Sequence, residues 1–141
     1  MARDYMKRAS RTLWESREAL KAGDYALTIR RAQETVELSL KSALRFVAVE
    51  YPREHDLADI LPEILSIRRL PDWFKAEIPF MASVSRDLAK KRGLAFYGDE
   101  GALRPPSSIF SEEDAIRALR DAERVHKNCK RLLELAPSEL S

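Results

Sequence analysis

The sequence predicts an all-α protein, an up-and-down bundle of four to five helices built on a long antiparallel helical hairpin. Two observations point there first. Apolar residues recur at three- and four-residue intervals over 2–22 and again from 25 to about 50, the period of a helix with one buried face. A Gly23-Asp24 pair separates the two stretches, too short a link for anything but an antiparallel return. A third observation is negative: no segment alternates apolar and polar residues as a half-buried strand would.

The first stripe is Ala2, Tyr5, Met6, Ala9, Leu13, Ser16, Ala19 and Leu20, with Arg3, Lys7, Arg11, Glu15 and Glu18 placed elsewhere. Gly23 supplies the stop, because it tolerates the left-handed backbone that ends helices, and Asp24 can cap the next start. The second stripe is Ile29, Ala32, Val36, Leu40, Ala43, Leu44 and Val47, uninterrupted by Gly or Pro until Pro52. About 26 residues at the helical rise make a rod of ~39 Å.

A polar connector, Pro52 to Asp56, leads to a shorter helix over Leu57, Ile60, Leu61, Ile64 and Leu65. Pro62 must then lie in its first turn or kink it. Leu70-Pro71-Asp72 opens a fourth helical region to about Lys91, with Phe74, Ile78, Met81, Val84, Ser85 and Leu88 on its stripe and a break expected near Pro79. Three glycines and Pro105-Pro106 mark residues 93–110 as a loop. Ser111 to Asp114 is close to a capping box. The last helix carries Ala115, Ile116, Leu119, Ala122, Val125, Cys129, Leu132 and Leu133, and Pro137 closes it.

The 141 residues fit one domain, long enough to bury most of its apolar surface without staples. One cysteine, Cys129, excludes an internal disulfide and a cysteine-only zinc site, and points weakly to a reducing compartment. The charged opening stretch predicts neither signal peptide nor membrane span, so a cytoplasmic location is expected. A formal charge of +2 neither requires nor forbids a nucleic-acid partner. Residues 19–32 look like part of a tetratricopeptide repeat, but no copy returns ~34 residues later.

Chemistry-bearing motifs are few. Phosphate loop, paired-histidine metal motif and cysteine pair are all missing, so neither metal nor cofactor is expected. Of the two histidines, His55 at the start of the third helix is a candidate general acid or base. His126, at the margin of the last stripe, reads better as a packed or surface residue. The stretch Ser85 to Asp99 is more informative. Arg92 falls four residues after Leu88 and seven after Ser85, which extends a mostly buried stripe, where a guanidinium needs a carboxylate, a phosphate or a cleft. Arg86, Lys90 and Lys91 add charge around it, while Tyr97 and Asp99 follow just past the helix. A solvated basic helix end is the plainer alternative. Glu37 and Lys41, one turn apart beside the Val36–Leu40 seam, form a surface ion pair or a cleft pair.

These features together resemble the HEPN domain family. The resemblance lies in Gly23-Asp24-Tyr25, the helix Arg31 to Leu44, His55-Asp56-Leu57 and the late stretch Arg92 to Asp99, and runs over about residues 3–130. It implies a four- or five-helix bundle that dimerises. It also implies a nucleotide or RNA ligand, and a minimal nucleotidyltransferase partner in a toxin–antitoxin pair. Many members are metal-independent endoribonucleases whose motif is an arginine followed, after four to six residues, by histidine in the dimer cleft.

Carried over by position, Arg92 matches the arginine, but the histidine position holds Tyr97. A phenol with a pKa of ~10 is a poor base at neutral pH. The expectation is therefore a homodimer in which Arg86, Arg92, Tyr97 and Asp99 line a groove for a nucleotide or RNA phosphate. Two alternatives stand beside it. One is a ribonuclease in which Arg92, Tyr97 or His55 carries the catalysis. The other is a non-catalytic helical adaptor.

Overall fold

The computed structural model describes residues 1–47, 58, 59, 61 and 70–136. Helix α1 (Ala2–Lys21) buries Met6, Ala9, Leu13, Ser16 and Ala19, the expected stripe, and adds Thr12. It ends where Gly23 takes a positive φ of 75°. The Asp24 side chain then accepts the Leu27 backbone N–H at 3.1 Å and caps α2 (Tyr25–Phe46). The expected end near Glu50 falls outside the described residues.

The α1–α2 seam is close because its side chains are small, and most of its hydroxyls find partners inside it, the buried Ser39 Oγ being an exception among the described residues. Ser16 Oγ donates to the Thr28 carbonyl at 2.8 Å, Ser42 Oγ to the Ala2 carbonyl at 2.7 Å, and the Thr12 and Thr35 hydroxyls pair at 2.8 Å. Satisfying these buried polar groups avoids a cost of about 1–3 kcal/mol each. Helix α2 is the centre of the bundle, packed against α1, the last helix and the penultimate one. Its Ile29, Leu40 and Leu44 are fully buried, each worth ~1.5–3 kcal/mol over an exposed side chain.

Of the third predicted helix, Ala58, Asp59 and Leu61 are helical, and Ala58 and Leu61 belong to the core. The rest of it, with His55, lies outside the described residues.

Helix α3 (Asp72–Tyr97) departs from expectation twice. It runs through Pro79 without a break. Pro79 is exposed, so the Lys75 carbonyl that loses its usual donor lies on the water-facing side, where the loss is small. It also passes Gly93 and stops at Gly98 instead, whose φ of 76° and ψ of −170° suit glycine. A Cβ on Gly98 would meet the Arg104 carbonyl oxygen. Beyond Gly98 the chain makes a narrow return, in which Asp99 and Arg104 exchange both backbone hydrogen bonds at 2.8 Å, and then a 3-10 turn at Pro106–Ser108.

Helix α4 (Glu112–Leu133) opens on the predicted capping box. Ser111 accepts from the Asp114 N–H, and Asp114 accepts from the Ser111 N–H. That second bond holds the Asp114 carboxyl below its usual pKa. All regular structure among the described residues is helical, and no described helix is long and apolar enough to cross a membrane.

Candidate functional site

The last two turns of α3 run from Arg92 to Tyr97. Ala95 turns inward and is buried, while Leu94, Phe96 and Tyr97 turn out, at 39, 51 and 67% exposure. One helical turn thus puts two aromatic rings and a leucine at the surface, where an unbound domain has no packing use for them. Phe96 and Tyr97 touch with ring centroids 4.6 Å apart and planes at 58°. The Arg30 guanidinium of α2 lies 4.3 Å over the Phe96 ring, a cation–π contact that ties the end of α3 to the start of α2. Leu103, at the tip of the following return, is exposed at a φ of 56°.

Each predicted site residue that is described has a definite place. Arg92 is exposed. This corrects the expected burial: the buried line of α3 passes through Leu88 and Ala95, and Arg92 stands roughly 40–60° off that line at 100° per residue. It makes no ion pair among the described residues. Tyr97 is the last helical residue. Asp99 sits in the return with one carboxylate oxygen accepting the Ala102 N–H at 3.1 Å. Arg86 reaches away, toward Asp59 at 3.4 Å. The tip of α3 and the adjoining return therefore carry Arg92, Tyr97 and Asp99, while Arg86 joins the third segment.

Glu37 and Lys41 do pair, at 3.1 Å, and both are half-buried. Gln33 extends the pair by donating to Glu37 at 3.2 Å, while its own side-chain carbonyl is buried without a partner among the described residues. His126 packs between helices, its Nε2 2.9 Å from Ser10 Oγ. Burial, then Lys130 and Arg17, hold its pKa below the usual histidine value. Burial pushes the Cys129 thiol far up, so it is inert. No group of three metal-ligating side chains occurs among the described residues.

Near the start of α3, at the end opposite the tip, α3 and α4 meet along a seam of charge. Arg124 makes two short bonds to Glu77, at 2.7 and 2.6 Å, and Asn128 adds a third at 2.8 Å. These hold the Glu77 carboxyl below its usual pKa. Farther along, Asp121 has its pKa raised by burial and by facing Asp87.

On its outer face α4 repeats Arg117, Arg120, Arg124, Lys127 and Arg131, all exposed. The sequence reading missed this row, although its 3-4-3-4 spacing is the same signal that marks the apolar face. Arg124 lies 3.9 Å over Phe80, and Arg131 4.0 Å over Trp73.

The HEPN domain pattern matches residues 2–132. The fold is similar to that in the crystal structure of TT1696 from Thermus thermophilus, with a TM-score of 0.72 at 23% identity, covering 94% of this chain and 98% of that one. It is also similar to ST0689, an archaeal HEPN homologue, with a TM-score of 0.69 at 25% identity over 95% of this chain and 98% of that one. No curated protein matches the sequence. The chain belongs to the HEPN domain family.

Proposed function

We propose that this HEPN domain binds a nucleotide or RNA phosphate at the tip of α3, with Arg92 as the anion ligand and Tyr97 as a stacking surface for a base. The observation that carries the reading is the exposure of Tyr97 beside Phe96, with Arg92 exposed one turn before Phe96 and without an ion pair among the described residues. An aromatic face and an unpaired guanidinium are the two elements that single-stranded nucleic acids engage. Asp99 serves by fixing the return that follows Tyr97. Arg86, tied to Asp59, contributes charge at longer range.

The domain acts as a homodimer beside a minimal nucleotidyltransferase, in a toxin–antitoxin-like pair. Support for the dimer is the outward row Leu94, Phe96 and Leu103, an apolar surface that a second subunit would cover. The half-buried Glu37–Lys41 pair then borders the cleft. Tyr97 offers a hydroxyl that a partner enzyme can modify.

Titration of the purified protein with AMP and with a short single-stranded RNA tests the reading. Arg92→Ala with Tyr97→Ala should weaken both at least about 10-fold, since base stacking alone is worth ~1–3 kcal/mol, and leave the melting temperature unchanged. Unchanged affinity in the double variant would remove the tip of α3 as the site.

A further inference from the structure

We propose that the outer face of α4 is a track for the phosphate backbone of RNA, so that the ligand of this domain is a polymer and not a mononucleotide. This inference rests on the nucleotide-or-RNA reading above and narrows it. Arg117, Arg120, Arg124, Lys127 and Arg131 lie on one face, each three or four residues from the next, and all five are exposed. From first to last the row spans ~21 Å. The whole chain has a formal charge of only +2, so five basic side chains on one helical face, of which Arg124 is paired with Glu77, are a local concentration of positive charge.

The row is also held in place. Arg124 is fixed by Glu77 at 2.6 Å and by Phe80, and Arg131 by Trp73. Arg117, Arg120 and Lys127 make no ion pair among the described residues and keep their charge for a ligand. Glu113 and Asp121 border Arg117 and Arg120 around an open depression, which moderates the field at that end without cancelling the row.

The chemistry favours nucleic acid over an acidic protein. Protein interfaces centre on a desolvated apolar patch with a polar rim. Here the two large aromatic side chains beside the row, Trp73 and Phe80, lie under guanidinium groups, and the water-facing side carries basic side chains at three- and four-residue spacing. Such a row contacts phosphates and carries no base readout, so binding along it is independent of sequence and sensitive to salt.

The test uses the full chain and a fluorescently labelled oligouridylate, followed by anisotropy over a range of salt concentrations. The variant is Arg117→Gln with Arg120→Gln and Lys127→Gln, all exposed positions without ion pairs among the described residues, whose loss leaves the fold intact. Three lost phosphate contacts at ~0.7 each lower the salt slope by about two and weaken binding about 100-fold near 0.1 M salt. AMP binding is unaffected.

If the triple variant binds oligouridylate as the wild type does, the track is overturned while the tip of α3 stands. Should Arg92→Ala with Tyr97→Ala leave AMP and oligouridylate binding intact while the triple variant loses the RNA, the track stands and the reading of the tip fails. Polyglutamate that competes as well as RNA of equal charge would assign the face to an acidic protein and overturn the proposal. So would a wild-type protein that fails to bind oligouridylate at low salt.

Discussion

In the α1–α2 hairpin the hydroxyls of Thr12 and Ser16, drawn into the seam from α1, both have partners, and small residues let the helices approach closely. At the tip of α3, side chains equally able to pack are turned out. Ile29 and Leu40 are fully covered, whereas Phe96 and Tyr97 are more than half exposed. Both regions are helical and both are rich in apolar surface. The difference separates apolar surface committed to folding from apolar surface left uncovered, which the proposed function assigns to a second molecule.

Substitutions should separate the two regions by magnitude. Ile29→Ala empties a fully buried site and should lower unfolding stability by about 3 kcal/mol. Phe96→Ala, half exposed and touching only Arg30 and Tyr97 among its ring contacts, should cost less than ~1 kcal/mol, while shifting the proposed dimer toward monomer in sedimentation. Paired denaturant titrations read the first quantity. Equal losses at both positions would erase the distinction.

Gly98→Ala sharpens the same contrast from the backbone side. The position needs a positive φ, and a Cβ there would collide with the Arg104 carbonyl. A loss of about 2 kcal/mol is expected, with the return from Asp99 to Arg104 displaced and ligand affinity reduced. Thermal melts together with RNA titration check it.

The smallest effect concerns pH. The His126 pKa is lowered in the folded protein, chiefly by burial and then by Lys130 and Arg17. The unfolded chain therefore takes up the proton more readily. Its contribution to stability is complete above the unfolded pKa of ~6.5 and is lost as pH falls toward the folded value. His126→Gln keeps a partner for Ser10 and should flatten the pH dependence of the melting temperature just below pH ~6.5. An unaltered slope would place the acid sensitivity elsewhere.

Much of the fold was legible because it depends on neighbours in sequence. Gly23-Asp24 is a stop and a start that adjacent residues define, and Ser111 reaches Asp114 three positions on. The end of α3 was not legible from such signals. Gly93 has the look of a terminator, yet it is exposed with open space around it. Gly98 is the terminator because Arg104, brought back by a return, leaves no room for a side chain. Arg92 was misjudged for a related reason: the stripe through Ser85 and Leu88 drifts around the helix, and Ala95 shows which line stays buried. Asp99 lies past the helix as expected, but Tyr97, expected beyond it too, is its last residue, because the helix continues through Gly93 to Gly98. The use of the Asp99 carboxylate inside the turn was not legible either. The cationic face of α4 was open to the same counting that located its apolar face.

Hydrogen–deuterium exchange of the whole protein with and without a short single-stranded RNA tests the central claim most directly. RNA is expected to slow exchange at the amides of residues 94–104, from the end of α3 through the Asp99–Arg104 return, and to leave the hairpin amides unchanged. Saturating RNA that protects no amide in 94–104 would contradict it, and the tip of α3 would then be a surface without the role given to it.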